Sequence, residues 1–236
     1  MQLEPIRTNE GSPGTVVLGR RISSEAQQVL RNTYLLLALT MVPTIGGAFV
    51  GMATGGIILQ HPIIASLVML AAVIGLQFAI VANRNSPIGI VLLLLMTGIL
   101  GWWIGPMLNY ALALKNGAQL VGYAAGGTGL VLFAMATIAT TTKRDFSFLG
   151  KFLFVGMIAL IIAMFANMFF QIPALALALS TIAIVIFSLF LLYDLSRIVT
   201  GGETNYIVAT TGVYISLLNV FVNLLQLLMA LTGERD

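Results

Sequence analysis

Cysteine is absent from the 236 residues and histidine occurs once. The first absence removes disulfides, thiolate chemistry and cysteine metal sites, and leaves the redox compartment undecided. The second leaves His61, just before Pro62, as the sole imidazole, and it reads as a solvated outer-loop residue rather than a catalytic base. Charge is scarce too: Asp, Glu, Lys and Arg make up 8% of the chain, against about 25% in a soluble domain. No serine nucleophile elbow, no His/Asp/Glu metal cluster and no phosphate-cradling loop occurs, and GGT at Gly126 and GGE at Gly201 are lone glycine pairs. The chain is therefore not expected to be an enzyme or to hold a metal or cofactor. The net charge of +3 comes without a basic face interleaved with aromatics, which argues against nucleic acid as a partner.

What is present is apolar surface, 59% of the residues. A helix needs roughly 20 apolar residues to cross a hydrocarbon layer of about 30 Å. Seven such runs are legible, at 33–54, 62–82, 88–108, 120–140, 152–170, 174–193 and 207–231. They are continuously apolar, whereas strands of a membrane barrel alternate. The fold class is an all-α integral membrane protein of seven transmembrane helices. The fifth and sixth runs form one stretch too long for a single crossing, so QIP, residues 171–173, must be a tight hairpin.

Lysine and arginine set the orientation. With the N-terminus inside, Arg7, Arg20, Arg21, Arg31, Arg84, Lys143, Arg144, Lys151 and Arg197 fall on the cytoplasmic side, and only Lys115 and Arg235 fall outside. The basic excess reads as topology and contact with the anionic lipid bilayer. Residues 1–30 lack the apolar core of a cleaved signal and read as a mobile cytoplasmic tail, turning helical from Ser23 with Ser24 as a cap. The tail is either an inert leader or a handle for a partner, with Arg7, Arg20 and Arg21 as its charges. Residues 31–236 form the membrane domain.

Within the spans, Gly47 and Gly51, Gly101 and Gly105, and Gly122 and Gly126 have the spacing that lets helices approach closely. Trp102 and Trp103 suit an interfacial belt near the outer end of the third span. In the last span Ser216, Asn219, Asn223 and Gln226 fall on one face, which should turn inward and place this helix at the centre of the bundle. Two readings stay open: the amides hydrogen-bond to neighbouring helices, or they line a wetted path.

Asp194 ends the apolar run FSLFLLYD, three residues before Arg197. A carboxylate at a membrane span is a functional candidate by default. Its alternative is an i,i+3 pair with Arg197 about one turn inside the cytoplasmic boundary.

LLYDLSRIV, GGETNYIVATTGVYISLLNVFVNLLQLL, TKRDFSFLGKF and VLRNTYLLLAL together resemble the Bax inhibitor-1 (TMBIM-type) membrane family over nearly everything after Leu30. GGETNYI and VYISLLN are similar to its bacterial branch of modulators of the FtsH protease. The resemblance implies six helices around a central seventh, an inner-membrane location and FtsH as a partner that is bound and restrained. In ion-leak members of the family, two aspartates share protons and gate calcium, with a basic residue nearby. The first corresponds to Asp194 and the second to Ser216, which cannot supply a second negative charge. The basic residue has an approximate counterpart at Arg84. A calcium or proton path is thus the alternative to modulation.

Overall fold

The structure, a computed structural model, describes residues 22–142 and 144–232. Eight helices follow one another: α1 (Ser24–Thr54), α2 (Gly56–Gln60), α3 (Pro62–Ala82), α4 (Pro87–Leu112), α5 (Gly117–Thr142), α6 (Phe148–Phe170), α7 (Pro173–Thr200) and α8 (Tyr206–Thr232). All except α2 are long and apolar enough to cross a membrane. The short α2 lies in the connection GGIILQH between the first two membrane-length helices.

The apolar runs locate the spans, and polar residues locate their ends. Ser23, not Ser24, caps α1: its hydroxyl accepts the Ala26 N–H at 3.1 Å, because Ser24 is already the first helical residue. Ser86 caps α4, with Pro87 in the first turn where its missing N–H has no cost. At QIP the chain reverses as expected. Gln171 adopts φ 51°, its N–H reaches the Asn167 carbonyl, and the Asn167 side chain accepts the Ile172 N–H at 3.1 Å. Between α5 and α6, Asp145 accepts the Ser147 N–H at 2.8 Å, and the Ser147 hydroxyl together with that N–H holds its carboxyl below the ordinary range.

α1 and α4 pack backbone against backbone. A Cβ on Gly47 would overlap the Gly98 carbonyl oxygen, one on Gly51 the Trp102 carbonyl, one on Gly101 the Thr44 carbonyl, and one on Gly105 the Gly51 backbone. Side chains tie the end of α1 to the same partner: Trp102 Nε1 donates to Thr54 Oγ1 at 2.8 Å and Asn109 Nδ2 to the Met52 carbonyl at 3.4 Å. Gly122 and Gly126 behave otherwise. Nothing lies within 4 Å of where their Cβ atoms would be, so this pair joins no helices in the described structure.

α8 packs against α7, α5, α1, α4 and α3, while α6 packs on α7. The first half of α8 is the more buried, with Thr210, Thr211, Val213, Tyr214 and Ser216 all enclosed. Tyr214 is 1% exposed, and its hydroxyl lies 2.8 Å from Thr44 Oγ1 and donates to the Thr97 carbonyl at 3.3 Å, joining α8 to α1 and α4. Buried hydroxyls need such partners in a medium without water.

Two contacts sort the helix ends onto faces. Asn205, before α8, reaches the α3–α4 turn, and Asn116, before α5, donates to the Thr232 carbonyl at the end of α8. The α3–α4 turn and α7–α8 loop therefore share one face, and the α4–α5 turn and the end of α8 share the other.

Candidate functional site

Asp194 lies inside α7, which runs on to Thr200 rather than ending near Tyr193. Six residues of helix follow it, about 9 Å at the α-helical rise. Asp194 as a residue is half-buried, and its carboxylate lies against α8 at Gly212, where an added Cβ would come 2.7 Å from Oδ2 and 3.0 Å from Cγ. Glycine at 212 is what lets the second helix approach the acid so closely. Ser216, 3% exposed, stands one turn further along α8 on the same side as Gly212. The family resemblance pairs Asp194 with Ser216, and in the structure it is Gly212, one turn before Ser216 on α8, that lies against the Asp194 carboxylate.

Arg197 does not pair with Asp194. It forms its ion pair with Glu203 at 3.3 Å, donates to the Gly202 carbonyl at 3.3 Å, and lays its guanidinium 5.5 Å from the centre of the Tyr193 ring. The loop GGETN explains the choice. Gly201 takes φ 81° as the cap of α7, a left-handed conformation that costs glycine little, and the chain folds back so that Gly202 and Glu203 N–H groups reach the Arg197 carbonyl. That return places the Glu203 carboxylate beside the guanidinium. The i,i+3 reading is thereby corrected: the loop acid wins over the helix acid. The Tyr193 ring in turn packs on Gly150 of α6, where a Cβ would come 2.9 Å from it.

Asn205 completes the loop. Its Oδ1 accepts the Ile207 and Val208 N–H groups and so caps α8, while its Nδ2 donates to the Arg84 carbonyl at 2.8 Å and to Asn85 Oδ1 at 3.0 Å. Glu203 Oε1 accepts the Asn205 N–H at 3.0 Å. Arg84 enters this network through its carbonyl, and its exposed side chain is not brought to Asp194. Asn205 and Glu203 went unassigned in the sequence reading. Asparagine directly before an apolar periodic run is a helix-start signal, and would have found the first of them.

The polar stripe is inward only in part. Asn223 is 4% exposed and Asn219 half-buried, but Gln226 is exposed. The amides donate to their own helix, Asn219 to the Ile215 carbonyl at 2.9 Å and Asn223 to the Asn219 carbonyl at 2.8 Å. The expected amide bonds to neighbouring helices are thus replaced by bonds within α8. An i−4 carbonyl is always within reach of an asparagine on a helix, and no partner helix has to be positioned for it. Arg7, Arg20 and Arg21 lie outside the described residues.

The family model described as Inhibitor of apoptosis-promoting Bax1 matches residues 26–233, from the first turn of α1 to the end of α8. The chain belongs to that family. Membership bears out the resemblance carried by LLYDLSRIV and GGETNYI. Among its relatives, the modulator of FtsH protease YccA of Escherichia coli strain K12 is 43% identical over 202 residues, covering 85% of this chain and 89% of that protein. A membrane protein of Vibrio cholerae is 41% identical over 204 residues, covering 86% of this chain and 90% of its own length. In this member of the family, then, the candidate site is a single carboxylate set against a glycine, with a hydroxyl one turn on and a guanidinium engaged elsewhere.

Proposed function

We propose that the protein is a non-enzymatic modulator of the FtsH membrane protease, acting from the bacterial inner membrane. The observation that carries this reading is the 43% identity to a modulator of FtsH protease across most of both chains. In the proposed arrangement the face bearing the α3–α4 turn and the α7–α8 loop is cytoplasmic, as the Lys/Arg excess requires, and the end of α8 faces the periplasm. The residues ahead of α1 then supply a cytoplasmic grip, and the helices from α1 onward a membrane domain that resists extraction. The backbone interlock of α1 with α4 supports this, because a pull on the N-terminus loads α1 first and the last three turns of α1 are fastened to α4.

The test is co-purification with FtsH from membranes. The intact chain is expected to retain the protease, and a variant lacking residues 1–21, which leaves α1 and its Ser23 cap whole, is expected to lose it with an unchanged unfolding midpoint. Retention by the shortened chain would overturn the role of the leader, and no retention by the intact chain would overturn modulation.

A cation path is the second reading, and the carboxylate of Asp194 inside α7 favours it. A calcium flux in sealed vesicles that is lost in Asp194→Asn would promote it. Ser216 at the position of the second acid is what weakens it.

A further inference from the structure

A hydroxyl inside a membrane helix ordinarily bonds to a carbonyl of its own chain. In α7, Thr181 donates to the Leu177 carbonyl, Ser188 to Ile184, Ser196 to Tyr193 and Thr200 to Ser196. Ser180 departs from that pattern. It is 1% exposed, and its hydroxyl makes no hydrogen bond to any described residue. Thr33 Oγ1 is also without such a bond, but it is sealed off, whereas Ser180 lines a cavity of 340 Å³. Ser66 of α3, Asn167 of α6 and Gln226 of α8 line the same space. The packing of the bundle is open there, since α3 packs chiefly on α4 and α6 on α7.

The chemistry of the lining selects an occupant. Ser66 and Gln226 make no side-chain hydrogen bond to a described residue. Asn167 has its Oδ1 committed to the Ile172 N–H, so the free end of that amide is the donor Nδ2. The cavity therefore offers hydroxyl and amide donors and no charged group, against apolar walls from Met164, Phe165 and Met168. Donors at membrane depth require acceptors. From the helix ends on the face bearing the end of α8, Asn167 is three residues in, Ser66 four, Gln226 six and Ser180 seven. At the helical rise these are depths of about 4–10 Å, and the polar interface of a bilayer takes up about 5–7 Å of each side. The donors thus span the level where lipid esters meet hydrocarbon.

We propose that this cavity seats the glycerol-ester part of one phospholipid from the leaflet at the end of α8. Its ester carbonyls accept from Ser180, Asn167 and Gln226, and an acyl chain lies along Met164, Phe165 and Met168. An ester supplies acceptors without charge, which is what an uncharged, donor-rich lining matches, and the charged headgroup stays in the interface beyond the site. The lipid enters sideways between α3 and the α6–α7 hairpin and joins the two.

The test uses the purified full chain in detergent, titrated with dioctanoylphosphatidylethanolamine and with its ether-linked analogue, and bound lipid is counted by native mass spectrometry. One ester lipid per chain is expected, with the ether analogue about fivefold weaker because it lacks the carbonyls. Ser180→Ala and Gln226→Leu are each expected to weaken the ester lipid about fivefold. Thr181→Val, whose hydroxyl already bonds to Leu177, is expected to leave it unchanged. Ser180→Ala should also keep the unfolding midpoint of the lipid-free chain, since its hydroxyl has no partner in the protein to lose. The chain has no cysteine, so Ser180→Cys places a single thiol in the cavity, and in membranes it is expected to be shielded from a water-soluble maleimide. Equal binding of ester and ether lipids, unchanged binding in Ser180→Ala, an equal loss in Thr181→Val, or rapid labelling of the thiol, which would mean that water alone fills the cavity, overturns the proposal.

Discussion

Glycines spaced by four occur in α1, α4 and α5, and they do opposite things. In α1 and α4, Gly47, Gly51, Gly101 and Gly105 meet another backbone so closely that no Cβ fits. In α5, Gly122 and Gly126 face open space. The residue type and the spacing are the same, and the difference is whether the facing helix presents its own notch at the same height. α4 answers α1 with Gly98, Gly101 and Gly105, whereas α5 packs chiefly on α8 and α7 through its other sides. Gly212 is a third case, in which a glycine makes room for a side chain, the Asp194 carboxylate. Close approach is a property of a pair of surfaces, and one helix's sequence states only half of it.

Four substitutions grade that contrast. Gly101→Leu should do the most harm, because the Thr44 carbonyl it meets is backbone and cannot swing aside; a loss of about 3 kcal/mol is expected in reversible unfolding in detergent or bicelles. An unchanged midpoint would mean α1 and α4 are not interlocked. Gly212→Ala should cost about 1 kcal/mol, less because a short side chain can turn away, and the cost should vanish when Asp194 is also changed to Ala. Persistence of the full cost in the double variant would show that the acid is not what Gly212 accommodates. Tyr214→Phe removes the hydroxyl that joins α8 to Thr44, beside the Gly101 contact; about 0.6 kcal/mol is expected, the average for a hydrogen bond between membrane helices. Gly126→Ala should change stability least, raising it by about 0.5 kcal/mol because alanine favours the helix and meets nothing. A clear loss there would place a partner against α5.

The spans were legible because a membrane crossing requires an unbroken apolar run, and 171–173 was legible as a hairpin because no single helix fits the run around it. The first turns of α1, expected from Ser23, were legible by a different signal. SEAQQVLRN, residues 24–32, is polar, so hydropathy passes over it, although Glu, Ala, Gln, Leu and Arg are all good helix formers. The site divides in the same way. Asp194 was visible as an acid in an apolar run, and Ser216 by its counterpart in the family pattern. The partner of Arg197 was not visible, since Asp194 at three residues and Glu203 at six are both within reach, and the left-handed turn at Gly201 decides between them. Gly212 carried no mark at all, because its meaning lies in the helix opposite. The amides of α8 share a face, and of the two readings left open for them neither named the bonds that Asn219 and Asn223 make within their own helix.

The early start of α1 bears on how the protein would be handled. A 31-residue helix is about 46 Å long, and the hydrocarbon layer takes up about 30 Å of it. Any motor that threads extended polypeptide would meet a wound rod before it reached the bilayer surface. Its opening strokes would go into uncoiling that rod in water, with the glycine seam between α1 and α4 still intact.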